Sequence, residues 1–201
     1  MKKIVYITVS PRGTASFSRT IGQELVDRLI QHYSDCVVIN RDLALHPIPH
    51  LDAQAATLLK KYPYQNETPQ DCTLLSNTLT QEILDADIIV LATPMWNYTV
   101  PSVLKAWLDY VIINGRTFLA TAQGQQGLCT NKKAYFVVAS GGFYTAAGAQ
   151  SRDYETGYLQ MIFAVMGIKD STLIRVEGTL VPNNQQSSIE SARKAVAALI
   201  L

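Results

Sequence analysis

The sequence is poor in charge. Only 16% of its 201 residues are charged, against ~25% in an average globular domain. Seventeen Lys and Arg face sixteen Asp and Glu, so the basic surplus that nucleic-acid binding requires is missing. A disordered chain is also excluded, because 48% of the residues are hydrophobic and can offset the entropy lost on ordering. Little charge with much apolar surface points to extra burial, such as a subunit interface.

The sequence has only three cysteines, and their spacing forms no paired motif. Cys36, Cys72 and Cys129 lie far apart, and no C-x-x-C occurs, which excludes a zinc knuckle and a dithiol redox motif. We expect free thiols in a reducing compartment. The N-terminal apolar run is far shorter than the ~20 residues that span a membrane, and no cleavage site follows it. The sequence therefore predicts a cytoplasmic protein without a membrane partner.

Short continuous apolar runs alternate with helical patterns along the chain. Such runs are typical of parallel strands covered by helices on both faces. They predict a flavodoxin-like α/β fold with a five-stranded parallel sheet in the order 2-1-3-4-5. The predicted strands are Ile4–Val9, Val37–Ile39, Ile88–Ala92, Tyr135–Ala139 and Leu173–Val176. No linker or repeat divides the chain, so residues 1–201 are predicted to form a single domain, with the irregular segment Arg41–Gln70 wrapped around it. A capping box at Ser187 and Glu190 predicts the start of the last helix.

Function in such a sheet belongs at the carboxyl ends of the strands. The first strand is followed by the loop from Ser10 to Ser18, which is rich in hydroxyl groups and leads into a helix. Hydroxyls and the free amides of a helix N-terminus suit a phosphate monoester. Ser16 or Ser18 could equally be helix N-caps, and the loop alone does not decide between the two roles.

Several nucleotide and phosphate motifs are absent. The chain has no G-x-G-x-x-G and no P-loop, which excludes the usual dinucleotide and nucleoside triphosphate sites. The first loop contains Arg12 but no nucleophilic cysteine, so a phosphatase of this topology is excluded. Ser10 and Thr93 stand where a phosphoacceptor receiver needs acidic residues.

Two further strand-end loops suit a flat ring. The third strand is followed by Thr93 to Pro101, which is rich in aromatic side chains and contains Met95. The fourth is followed by Ala139-Ser-Gly-Gly-Phe-Tyr144, whose glycines permit close approach to a ligand and positive φ. An aromatic loop packed on the core and a plain glycine turn remain the alternatives. Agreement among the three loops favours a ligand with a phosphate and a planar ring.

These loops, in this order, resemble the FMN-dependent NADH:quinone oxidoreductases of the azoreductase family. The matching stretches are Pro94-Met-Trp-Asn-Tyr-Thr-Val-Pro-Ser-Val-Leu-Lys-Ala-Trp-Leu-Asp-Tyr110, Gly115-Arg-Thr-Phe118, Gly127-Leu128, Lys132-Lys133, and Arg41-Asp-Leu with Pro47-Ile-Pro. The similarity extends over nearly the whole chain at matching spacings.

The resemblance implies an FMN enzyme in which NADH or NADPH and then a quinone or azo compound use the same site, in a homodimer with active sites at the interface. It implies that Ser10, Ser16, Phe17 and Ser18 hold the FMN phosphate. Met95, Trp96, Asn97 and Tyr98 would line the flavin ring, and Ala139, Ser140, Gly141 and Gly142 would approach its pyrimidine edge. Family members usually read S-R-G-G there, so Ala139 and Ser140 remove a hydroxyl and a guanidinium. No side-chain nucleophile is required, since the cofactor supplies the chemistry.

Three alternatives are weaker. A flavodoxin-like electron carrier is disfavoured by the net charge of +1, since such carriers are generally acidic. A serine hydrolase would need a G-x-S-x-G elbow, which is absent. A metal site at His46 and His50 is disfavoured because prolines interrupt any helix between them. The apolar run Met161 to Met166 is predicted to be a core or interface stripe.

Overall fold

A computed structural model describes residues 1–64 and 70–201. Its main sheet has five parallel strands in the order β2-β1-β3-β6-β7. The strands are β1 (Lys2–Thr8), β2 (Cys36–Asp42), β3 (Ile88–Pro94), β4 (Phe118–Thr121), β5 (Gly124–Gly127), β6 (Lys133–Ala139) and β7 (Asp170–Val176). The predicted parallel sheet is confirmed. The predicted order 2-1-3-4-5 is wrong as numbered, because β4 and β5 precede the last two sheet strands.

Helices cover both faces of this sheet. They are α1 (Phe17–His32), α2 (Ala53–Leu58), α3 (Asp71–Asp85), α4 (Ser102–Val111), α5 (Thr156–Met166) and α6 (Gln185–Ala197). Side chains alternate along β1, so that Ile4 and Tyr6 meet α1 and α6 while Val5 and Ile7 meet the core beneath α3, α4 and α5. Burial on both faces explains why the strand runs are continuously apolar.

The hairpin of β4 and β5 was not predicted. Its strands pair in antiparallel register from Phe118 with Gly127 to Thr121 with Gly124. The Gly-Gln-Gln-Gly sequence of β5 has no apolar alternation, and most of the hairpin is exposed, so periodicity gave no signal. The hairpin packs against α5 at a close contact of Gly127 with Gly167.

Two local predictions are corrected or left open. Helix α6 begins at Gln185 after Asn184, so Ser187 is inside the helix and donates to the Asn184 carbonyl instead of capping. The segment Arg41–Gln70 contains α2 and a short 3₁₀ turn at Leu59–Lys61, and its residues 65–69, with Pro69, lie outside the described residues. Within residues 1–64 and 70–201, no helix is long and apolar enough to cross a membrane.

Candidate active site

The carboxyl ends of β1, β3 and β6 meet at one edge of the sheet. These strands are neighbours, and backbone hydrogen bonds extend past their ends: Val9 N donates to Ala92 O at 3.1 Å, and Met95 N donates to Ala139 O at 2.8 Å. The three loops that follow the strands are therefore brought together, as the sequence predicts for parallel strands.

The loop after β1 places three buried hydroxyls at the start of α1. Ser10, Ser16 and Ser18 are all buried. Ser16 is the N-cap: its hydroxyl accepts from Arg19 N at 3.4 Å and lies 3.2 Å from the Ser18 hydroxyl. The first backbone bond of the helix runs from Thr20 N to Ser16 O, so the Phe17 and Ser18 amides precede it. Capping and anion binding are thus compatible, because the cap leaves those amides at a positive helix end.

Arg19, in the first turn of α1, hydrogen-bonds to the backbone of the same loop. Its Nε donates to Ser10 O at 2.8 Å, and its two terminal nitrogens donate to the Asp42 carboxylate at 2.6 and 2.7 Å. The hydrogen bonds from Arg19 and the amides of Leu45 and Ala44 outweigh burial and lower the pKa of Asp42. This guanidinium is committed to Asp42, so the hydroxyls and amides of the loop, and Arg12, whose guanidinium lies 5.6 Å from the Phe17 ring, remain as ligands for an anion. Neither residue was predicted to act at this loop: Arg19 carries no motif, and Asp42 was noted only as part of the Arg41-Asp-Leu stretch.

The loop after β3 is a tight hairpin turn at the surface. Trp96 and Thr99 exchange two backbone hydrogen bonds of 3.0 and 3.1 Å around Asn97 and Tyr98. Both central residues have positive φ, 48° and 71°, which is the type I′ pattern. Such a conformation is costly for a bulky residue such as Tyr98 and is a mark of functional loops. The turn leaves the Trp96 and Tyr98 rings about half exposed, so the alternative of a loop packed on the core is wrong for these two rings.

The loop after β6 turns back toward β7. Ser140 is buried, its N donates to Val176 O at 3.0 Å and its hydroxyl donates to Gly142 O at 2.9 Å. Gly141 and Gly142 do not have positive φ, so the loop does not use the left-handed conformation that glycine permits. Gly142 has space beside it, since a Cβ there would meet only the Tyr144 ring at 3.7 Å, whereas a Cβ on Gly141 would lie 2.7 Å from the Leu180 side chain. Within the described residues neither glycine amide has a backbone acceptor, whereas that of Ser140 is used.

A charged network fixes the rest of this loop. Glu177, just past β7, accepts from Tyr144 N at 3.0 Å and from the Thr145 hydroxyl at 2.6 Å. Arg175 bridges Glu177 and Asp153 at 3.2 and 2.7 Å. Burial opposes ionisation of Asp153, but hydrogen bonds from Thr156 and Arg175 prevail and lower its pKa. The network anchors both ends of the segment 144–153.

Glu155 is fully buried between this network and the loop after β3. Its Oε1 lies 3.1 Å from the Thr93 hydroxyl, and its Oε2 has no hydrogen-bond partner in the part of the chain that the structure describes. Burial raises the pKa of this carboxyl to about 9, and Asp153 adds to the rise. Nearby, Tyr154 N donates to Tyr98 O at 3.1 Å. Sequence reasoning missed Glu155 because an acid before an apolar helix reads as a solvated helix start.

All twelve predicted site residues lie on these three loops. The residues predicted to hold the phosphate follow β1: Ser10, Ser16, Phe17 and Ser18. Those predicted to line the ring follow β3: Met95, Trp96, Asn97 and Tyr98. Those predicted to approach its pyrimidine edge lie at the end of β6: Ala139, Ser140, Gly141 and Gly142. Buried hydroxyls, a helix N-terminus, exposed aromatic rings and open space at Gly142 fit a phosphorylated planar ligand. Within the described residues, no cluster of three His, Cys, Asp or Glu side chains is arranged to hold a metal.

The sequence matches a family model described as flavodoxin-like fold over residues 2–200. A protein of Beijerinckia indica named FMN-dependent NADH:quinone oxidoreductase is 41% identical over 202 residues. The alignment covers 100% of both chains.

Solved structures share the fold. An azoreductase of Bacillus anthracis superposes with a TM-score of 0.90 at 21% identity, over 98% of this chain and 97% of that one. A second B. anthracis protein, an FMN-dependent NADH-azoreductase in complex with FMN, gives 0.86 at 24% identity over 98% of both chains.

Proposed function

This chain belongs to the flavodoxin-like fold family, and from that premise we propose that it is an FMN-dependent NADH:quinone oxidoreductase that also reduces azo compounds. The observation that supports this most is the meeting of three chemically distinct loops at one sheet edge. One offers hydroxyls and helix amides, the second aromatic rings, and the third free amides with room beside them. A phosphate joined to a flat heterocycle needs all three.

The loop after β1 would hold the FMN phosphate. Ser10, Ser16 and Ser18 provide hydroxyls, and the amides of Phe17 and Ser18 point from the helix end. Arg19 fixes the loop through Ser10 O while its charge is taken up by Asp42. We therefore infer that hydroxyls and backbone amides bind the phosphate, with Arg12, and not Arg19, as the cation nearest to it in this loop.

The other loops would hold the ring. The turn at Asn97 and Tyr98 presents Met95, Trp96 and their neighbours toward one face, and its backbone is set by the Trp96–Thr99 pair. The amides of Gly141 and Gly142 would donate to the pyrimidine edge and stabilise negative charge there. Ser140, whose amide already donates to Val176 O, would act through its hydroxyl bond to Gly142 O.

When bound, FMN supplies the two-electron chemistry that links NADH oxidation to reduction of a quinone or azo bond. The chain's contribution is to orient the ring and leave one face open for a second planar molecule. We propose that NADH or NADPH and the acceptor use that face in turn, with Tyr98 and Tyr144 as candidate proton donors, since their rings lie 6.2 Å apart beside it.

We further propose a cytoplasmic homodimer made of one FMN-binding unit per chain, residues 1–201. The three cysteines are free thiols, which fits a reducing compartment. The apolar outer face of α5, formed by Tyr158, Met161, Ile162 and Val165, supports the dimer.

Absorbance spectroscopy tests the proposal. We expect the protein to bind FMN, to bleach on anaerobic addition of NADH or NADPH, and to recover colour with a quinone or azo dye. Separate titrations with the two nucleotides establish the preferred donor. A protein that binds FMN but does not oxidise either nucleotide would instead be an electron carrier, and the enzyme assignment would be wrong.

A further inference from the structure

The buried acid Glu155 is not among the residues proposed to contact FMN. It precedes α5 and is fully buried, and its Oε2 has no hydrogen-bond partner among residues 1–64 and 70–201. A buried polar atom without a partner is rare and costly, and such atoms are concentrated at functional positions. Among the described residues its side chain makes one hydrogen bond, with Thr93, which lies in β3 directly before the ring-binding loop.

The Thr93 hydroxyl has two partners and only one hydrogen. It lies 3.1 Å from Glu155 Oε1 and 3.3 Å from the carbonyl of Pro94. A neutral Glu155 donates to Thr93, so the hydroxyl hydrogen is free to bond the Pro94 carbonyl. An ionised Glu155 only accepts, so it takes the hydroxyl hydrogen and leaves the Pro94 carbonyl without it.

Burial, more than the charged groups nearby, favours the neutral form of Glu155. It raises the pKa to about 9 from an ordinary 4.5, and the hydrogen bond with the Thr93 hydroxyl lowers the pKa by less than burial raises it. Asp153 adds to the rise. Arg175 opposes it, but its guanidinium is already bound by Asp153 and Glu177.

Glu155 is also tied to the loop through its neighbour. Tyr154 N donates to Tyr98 O, so the start of α5 contacts the ring-binding loop at its strained turn as well as at its base. The segment before α5 and the ring-binding loop are therefore joined by two hydrogen bonds, one through Thr93 and one through Tyr154.

We propose that Glu155 is a positioning residue for the ring-binding segment Pro94–Tyr98: as a neutral acid it lets Thr93 bond the Pro94 carbonyl, and loss of its proton releases the segment. The expected effect on FMN affinity rests on the proposed function. The expected effect on the stability of the apoprotein does not.

The apoprotein is tested first, by the pH dependence of Tm. A carboxyl whose pKa is raised on folding contributes stability that is complete below 4.5 and is lost as pH rises toward about 9. Glu155→Gln keeps a donor to Thr93 but does not titrate. We expect its Tm to exceed that of wild type by a margin that widens over this range and is constant above it. Glu190→Gln, on the exposed face of α6, is the matched control and should follow wild type. Parallel profiles for wild type and Glu155→Gln would overturn a neutral Glu155.

FMN affinity then separates positioning from a purely structural role. The phosphate of FMN titrates identically in both proteins, so the ratio of Kd values isolates Glu155. We expect similar Kd values at pH 7, and a wild-type Kd that rises above that of Glu155→Gln by about tenfold for each unit that bound FMN adds to the pKa. Thr93→Val should weaken FMN already at pH 7, since it removes the hydroxyl between Glu155 and Pro94.

The outcomes are distinguishable. A widening Tm gap with a constant Kd ratio would show a buried acid without influence on the loop, and the positioning role would be wrong. Failure of wild type to bind FMN at any pH would reject the proposed function, while the apoprotein profiles would still decide the protonation of Glu155.

Discussion

Gly142 shows how a residue can be required by a ligand and not by the fold. Its φ is not in the left-handed region, and a Cβ there would make only an ordinary contact of 3.7 Å with Tyr144. By contrast, Gly178 has φ +72° and its Cβ would lie 2.4 Å from the Phe143 ring, so the fold itself requires that glycine.

Gly142→Val is therefore expected to weaken FMN without weakening the apoprotein. The added side chain occupies space next to a free amide donor where we place the pyrimidine edge. We expect Kd to rise at least tenfold, about 1.4 kcal/mol, with the apoprotein Tm unchanged. Fluorescence titration with FMN and thermal melts measure the two quantities. Equal affinity in Gly142→Val and wild type would contradict our placement of the ring.

Residue chemistry was predictable from sequence where a loop's composition was itself the signal. The serines after β1 and the aromatic residues after β3 are recognisable because strand ends were recognisable. Glu155 was not recognisable, since tertiary packing buries it and its hydrogen-bond partner Thr93 lies 62 positions away in the chain. Asn97 and Tyr98 were predicted as ring contacts, but their strained turn depends on the Trp96–Thr99 pairing, which no single residue type announces.

At the scale of elements, the hairpin of β4 and β5 is held to α5 by two glycines. A Cβ on Gly127 would lie 2.1 Å from Gly167 N and 2.3 Å from Gly167 Cα, both backbone atoms that cannot rotate away. Gly167 ends α5 in the left-handed conformation, and Cys129 N donates to Met166 O beside it. The contact positions the hairpin against α5. The helix was predicted from the sequence, and the hairpin was not.

Gly127→Ala is expected to destabilise the fold because hairpin and helix must separate. Overpacking of this kind costs about 1–3 kcal/mol. Gly157→Ala is the matched control: it is inside α5, no atom lies within 4 Å of the new Cβ, and alanine favours helix by up to about 1 kcal/mol. Urea denaturation should therefore shift the two midpoints in opposite directions. A Gly127→Ala midpoint at or above wild type would show that the contact yields easily.

At the scale of the whole molecule, part of the apolar surface expected from the low charge content lies on the outer side of α5. Helix α5 buries Leu159, Phe163 and Met166 in the core, yet its outer side is apolar too. Four outer residues recur at the i, i+3, i+4, i+7 spacing of one helix face: Tyr158, Met161, Ile162 and Val165. Met161 is 51% exposed and the other three are half-buried. A helix that is apolar on all sides is normally buried on all sides, so this face is suited to a second copy of the chain.

We therefore expect twice the 22.2 kDa chain mass in solution, with α5 at the interface. Met161→Glu places a charge in the centre of the outer face and should shift the protein toward monomer, because an unpaired charge in an interface is costly. Gln160→Glu adds the same charge at an exposed neighbouring position and should leave the dimer intact. Sedimentation velocity over a range of concentrations distinguishes the two. If wild type is a monomer throughout, the dimer is rejected; if both variants remain dimeric, the interface lies elsewhere. Since the ring-binding turn also contacts the start of α5 through Tyr154, a monomeric Met161→Glu should bind FMN more weakly as well.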